Sequence, residues 1–260
     1  MIEYLDSLSL PLRILVLSLI PALLTSLGAV PVILGKRIGE KGLDIGLGFS
    51  AGVMLVATFT SLLLPALETG MFYVVYAGFI AGVIVIHLLN EFLPHTHFIK
   101  GYEGPREGFK RFKRMVLTVF AIIIHNIPEG MAVGVTIIEN TLLGFTTALA
   151  IGIQDVPEGF AVALPYYTVS RSRSKSLGIG VFSGFTELLA AYIPWILITI
   201  LPELTYILLP FLMAFSAGAM TYVVVHELIP EIYGHGHDNP ATLGFFLGFI
   251  VMLSLDILLT

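Results

Sequence analysis

The sequence has no cysteine, which rules out both a disulfide framework and a thiolate metal cluster. Charge is almost as scarce. Only 12% of the 260 residues are charged, against about 25% in an ordinary soluble domain. The hydrophobic share is 57%, more than a soluble core of this length can bury, whereas a polytopic membrane protein can accommodate it. No phosphate-binding glycine loop, soluble linker or basic nucleic-acid patch is present, so nucleic acid is not a partner. No cleavable signal is evident, because the short acidic start (Glu3, Asp6) leads straight into a full-length apolar run.

A membrane span needs roughly 20 apolar residues. By that measure the sequence predicts an all-α integral membrane protein, one transmembrane domain over 1–260, with eight spans. They fall at about 12–35, 44–66, 71–93, 115–138, 142–166, 176–201, 204–228 and 240–259. Lys36, Arg37 and Lys41 fall in the first loop. Lys100, Arg106, Lys110, Arg111, Lys113 and Arg114 fall in the third (94–114), and Arg171, Arg173 and Lys175 in the fifth. The even-numbered loops carry no basic residue, so the positive-inside rule makes the odd loops cytoplasmic and puts both termini outside.

Two internal echoes organise the chain. His125-Asn126-Ile127-Pro128-Glu129-Gly130 returns 29 positions later as Gln154-Asp155-Val156-Pro157-Glu158-Gly159. Phe49-Ser50-Ala51-Gly52-Val53-Met54 in the second span returns as Phe215-Ser216-Ala217-Gly218-Ala219-Met220 in the seventh. With the orientation above, each pair is antiparallel. The plan is therefore three spans, a central pair and three spans, with halves related by an inverted repeat, as in many transporters.

The central pair carries the chemistry. On a helix, His125, Asn126 and Glu129 share one broad face, as do Gln154, Asp155 and Glu158. Pro128 and Pro157 lack an N–H, which frees the carbonyls of Ile124 and Ile153. Glu187 stands alone in the sixth span, and a lone intramembrane carboxylate needs a partner. Nitrogen and carboxylate ligands suit borderline divalent ions, zinc most readily. Four carboxylates exceed the charge of one such ion, so either two metals bind or some acids are protonated.

Both PEG motifs, their spacing and the eight-span plan resemble the ZIP (Zrt-, Irt-like) divalent-metal transporters, close to their bacterial GufA-like branch. The resemblance implies passage of zinc, with cadmium, iron and manganese as alternatives, into the cytoplasm across the cell membrane. It also implies a binuclear mid-membrane site. His125, Glu129, Gln154 and Glu158 fall at one metal with Met54 nearby. Asn126, Glu129, Asp155, Glu158 and Glu187 fall at the other, so that Glu129 and Glu158 bridge. Alternating access would move spans one, four, five and six against two, three, seven and eight. The family's pair in span seven matches His226-Glu227, and its last-span acid matches Asp256. This chain departs from many members in having only His95-Thr96-His97 in the third loop, Gln154 where histidine is frequent, and Asp155 where asparagine is.

Plainer readings stand beside these. The cluster could be a hydrogen-bond network around two proline kinks, though four converging acids are costly as structural glue. His226-Glu227 and His87-Glu91 are either an exit path or interfacial anchors. His95, His97, His235 and His237 either hand metal onward or are solvated loop histidines. Met54 read alone is a packing residue, and Asp256 an interfacial acid. Rival functions are an intramembrane metallohydrolase, a proton-coupled carrier of an organic substrate and a metal sensor. The hydrolase is disfavoured because no HExxH string occurs and the cluster has a single histidine. The sequence leaves a homodimer open.

Overall fold

Apolar runs of this length leave the backbone no water to bond, and a helix satisfies its N–H and C=O groups internally. The computed structural model describes residues 1–34, 39–92, 95–97, 101–103, 112–233 and 236–259. Most of the third-loop prediction, with Lys100, Arg106, Lys110 and Arg111, lies outside the described residues, as do Lys36, Arg37 and His235. Among the described residues the fold is helical apart from two three-residue strands, His95–His97 and Gly101–Glu103, which pair antiparallel. After a one-turn helix at Ile2–Asp6 come the long rods. These are α1 (Leu10–Ile33), α2 (Glu40–Glu68), α3 (Phe72–Phe92), α4 (Phe112–Glu139), α5 (Thr141–Ser170), α6 (Arg173–Ile200), α7 (Pro202–Ile232) and α8 (Asp238–Leu259). Among the described residues, six of them (α1, α2, α3, α6, α7 and α8) are long and apolar enough to cross a membrane. The other two, α4 and α5, hold the PEG motifs.

The rods are not uniform. Within α1 the helix breaks at Ala29 and within α6 at Ala191, each shortly before a proline (Pro31, Pro194) that cannot donate to the preceding turn. A π-helical turn interrupts α2 at Thr58–Leu63 and another interrupts α7 at Val224–Leu228. Such turns occur mostly as single insertions within α-helices, frequently at functional sites.

Packing follows glycine. A Cβ on Gly52 of α2 would lie 2.1 Å from the Phe245 carbonyl of α8, and one on Gly248 would lie 2.1 Å from that of Phe49. Between α3 and α7 the same contacts recur, Gly218 against Phe79 at 2.1 Å and Gly82 against Phe215 at 2.0 Å. Each residue has its counterpart the same number of positions on: Phe49 and Phe215, Gly52 and Gly218, Phe79 and Phe245, Gly82 and Gly248. Small residues thus bring the backbones of α2 and α8, and of α3 and α7, into direct contact. The remaining rods, α1, α4, α5 and α6, form a second group. Within it a Cβ on Gly130 of α4 would lie 2.1 Å from the Glu187 carbonyl of α6, and one on Gly159 of α5 would lie 2.0 Å from the Thr25 carbonyl of α1. The glycine of each PEG motif is therefore a docking point, fixing the helix that carries it against a neighbour.

Candidate metal centre

Successive helical positions turn by about 100°, so the polar residues of α4 fan out toward three partners. Asn126 Nδ2 donates to the Ser183 carbonyl of α6 at 3.1 Å, and Ser183 Oγ donates back to Asn126 Oδ1 at 3.3 Å. Glu129 Oε1 accepts from Gln154 Nε2 of α5 at 2.8 Å. His125 Nε2 pairs with Glu227 of α7, while the Glu158 and Glu231 carboxylates also lie close to it.

The core of the site is a trio of acids. Ligand oxygens of Glu129, Asp155 and Glu158 all lie within 4.8 Å of one another. Glu187 reaches the same level from α6, beside the Asp155 carboxylate and accepting from Thr25 Oγ1 of α1 at 3.4 Å. Glu129, Gln154, Asp155 and Glu187 are each at most 1% exposed. Asp155 Oδ2, Glu158 Oε1, Glu187 Oε1 and Gln154 Oε1 have no hydrogen-bond partner. Buried polar atoms are ordinarily paired, so four unpaired oxygens at one level constitute a set of free ligand positions.

Electrostatics gives the same direction. Two unit charges 4.8 Å apart repel by about 3.5 kcal/mol at an effective dielectric of about 20. Three ionised acids at such separations would repel by roughly 10 kcal/mol, of the order of a whole domain's stability. The cluster therefore has to hold protons or a cation, and the two compete for the same oxygens.

The structure assembles Glu129, Gln154, Asp155, Glu158 and Glu187 at one level. Asn126 is turned to Ser183 beside them, and His125 sits at their edge against Glu227. Met54 is fully buried in an apolar cluster with Ile124 and Met131. Other sequence candidates are scattered. Glu227 is buried, but His226 is exposed, with its ring tilted against Tyr222 at a centroid distance of 4.8 Å. His87 and Glu91 form an exposed pair at 3.4 Å on α3. Asp256 lies beside Thr60 of α2.

Two features escaped the sequence reading. Glu231 joins Glu227 near His125, a pairing visible in retrospect as two acids one helical turn apart. Asp44, fully buried near the start of α2, pairs with His237 Nδ1 at 2.8 Å. Nothing in the sequence links residues so far apart.

Comparison with known proteins places this arrangement in context. Residues 104–256 match the family model described as the ZIP zinc transporter. Over 252 residues the chain is 34% identical to zinc transporter GufA of Myxococcus xanthus, covering 93% of this chain and 97% of that protein. It is 39% identical over 249 residues to zinc transporter ZIPB of Bordetella bronchiseptica, covering 89% and 76%. To zinc transporter ZupT of Salmonella newport it is 36% identical over 252 residues, covering 95% and 97%.

Proposed function

The chain belongs to the ZIP zinc-transporter family, and from that premise we propose that it carries zinc across the cell membrane into the cytoplasm. The cluster between α4, α5 and α6 is its transport site. The observation that carries this reading is the convergence of Glu129, Asp155 and Glu158 within 4.8 Å inside an apolar helical protein. Acids at that depth are expensive unless they face an ion or one another.

All eight rods span the bilayer in a 3+2+3 plan with both termini outside. The correspondence of α2 with α7 and of α3 with α8 supports an inverted repeat. The metal sheds hydration water for carboxylate oxygens, the Gln154 and Asn126 amides, and His125. Glu129 and Glu158 bridge two ions, with Asp155 and Glu187 on one side and His125 and Gln154 on the other. Met54 borders the site from α2. Protons held by the cluster of acids leave as metal enters and return as it departs. Alternating access moves α1, α4, α5 and α6, which dock on one another through Gly130 and Gly159, against α2, α3, α7 and α8. The site's donors accept cadmium, iron and manganese as well, so zinc's preference rests on the relatives. A metallohydrolase is not favoured, since the family's named members are transporters.

The test is metal uptake into proteoliposomes by wild type, Glu129→Ala and Glu158→Ala, with Zn²⁺, Cd²⁺, Mn²⁺ and Fe²⁺ compared. Flux abolished by both substitutions is expected. Flux that survives both would place the path elsewhere.

A further inference from the structure

The matched halves allow each contact between the two helix groups to be compared with its counterpart. Ser50 in α2 corresponds to Ser216 in α7, as Phe49 does to Phe215 and Gly52 to Gly218. His125 and Gln154 correspond as the first residues of the two PEG motifs, and the glycine contacts of Gly130 and Gly159 follow the same exchange.

These counterparts are not in the same condition. Ser50 Oγ donates to the Gln154 carbonyl at 2.6 Å, a buried contact from α2 to α5. The corresponding contact would join Ser216 of α7 to the His125 carbonyl of α4. It is not made: Ser216 is fully buried and its Oγ has no partner. Eleven residues further along, the pattern repeats. The His125 side chain reaches Glu227 of α7. The counterpart would be Gln154 with Ser61 of α2, yet Ser61 Oγ and Gln154 Oε1 are both buried and unpartnered.

The two contacts made and the two not made fall on opposite sides. In the proposed orientation α2 runs outward and α7 inward. Ser50 and Glu227 then lie in the inner halves of their helices, and Ser61 and Ser216 in the outer halves. Eleven residues along a helix is about 16 Å, so one position of α4 and α5 cannot serve both sets.

We infer that Ser50 and Ser216 are paired docking residues, each engaged in one of two positions of the site-bearing helices, and that this structure is the inward-docked position. Ser50 on Gln154 and Glu227 on His125 hold α4 and α5 toward the cytoplasmic side. In the outward position those contacts break, Ser216 takes the His125 carbonyl and Ser61 takes the Gln154 amide. A buried hydroxyl left unpaired in each position keeps the two close in free energy, which a carrier needs in order to alternate. The inference rests on the transport reading above for its orientation and its purpose.

The absence of cysteine makes the test direct. Glu68 and Glu139 are exposed at the ends of α2 and α4, so Glu68→Cys with Glu139→Cys takes two spin labels and no others. Distances are measured by electron–electron resonance in lipid nanodiscs. A net hydrogen bond shifts a two-state ratio by roughly two- to tenfold. Ser50→Ala is expected to raise a second distance population by that factor. Adding Ser216→Ala in the Ser50→Ala background is expected to bring it back toward the wild-type distribution. Ser50 also lies near the Glu158 carboxylate, so the reversal by Ser216→Ala is the specific sign. Unmoved distances in Ser50→Ala, or a Ser216→Ala change that fails to reverse the shift, would overturn the inference. Zinc flux by the wild type is read separately. Its absence sinks the transport reading and leaves the distances standing as evidence of two positions.

Discussion

Gly130→Ala adds one methyl group where there is no room for it. The new Cβ would lie 2.1 Å from the Glu187 carbonyl oxygen and 2.7 Å from the Ala190 Cβ. Ordinary contact begins near 3.4 Å, so α4 and α6 have to part by about 1 Å, a strain of roughly 1–3 kcal/mol in a packed interior. Alanine is otherwise favoured over glycine within a helix by about 1 kcal/mol, so a net loss isolates the packing. Glu187 supplies both the carbonyl that is struck and a carboxylate of the site, and the displacement therefore reaches the cluster directly. Thermal unfolding in detergent is expected to show a lowered Tm. Zinc uptake in proteoliposomes should fall at least tenfold with protein incorporation held equal. The control is Gly178→Ala on the partner helix α6, where a Cβ meets nothing within 4 Å; it should transport as wild type. A Gly130→Ala protein with unchanged Tm and unchanged flux would refute the claim that this glycine sets the α4–α6 approach.

Other expectations follow from the same structure. At the proposed site zinc would compete with protons for Glu129, Asp155, Glu158 and Glu187, so affinity should weaken as pH falls and binding should release protons. Titration calorimetry in two buffers of different ionisation enthalpy measures that release, and buffer-independent heats would contradict it. His237→Ala removes a charge-assisted hydrogen bond to buried Asp44, costing about 1.5–3 kcal/mol; an unchanged Tm would count against that pairing. Arg13 ties the N-terminal turn to the bundle through the Leu5 carbonyl at 3.1 Å, the Asp6 carbonyl at 3.0 Å and Thr141 Oγ1 at 2.7 Å. Arg13→Ala should speed amide exchange in residues 1–8 by mass spectrometry, with the centre of α4 unaffected.

Helical class was legible because continuous apolar runs admit little else in a bilayer. The PEG echo was legible for the same reason, since polar residues in such runs stand out. Helix ends were less so. The α2 helix begins at Glu40, four residues before its apolar window, because solvated charged residues continue a helix without registering in hydropathy. The π turns at Thr58–Leu63 and Val224–Leu228 left no compositional mark. Shared helical faces predicted that His125, Asn126 and Glu129 could act together. They could not predict that each would be claimed by a different helix, because that depends on tertiary placement. Nothing in the motif itself assigns Gly130 and Gly159 a packing role. Their close approach to Glu187 and Thr25 shows that they supply contact.

The most direct measurement of the central claim is anomalous diffraction at the zinc edge from crystals of the protein soaked in zinc. The account predicts peaks within bonding distance of Glu129 and Glu158, with Asp155, Glu187, Gln154 and His125 as further ligands, and loss of those peaks in Glu129→Ala with Glu158→Ala. Zinc bound only at surface histidines, with the buried acids unchanged, would contradict it.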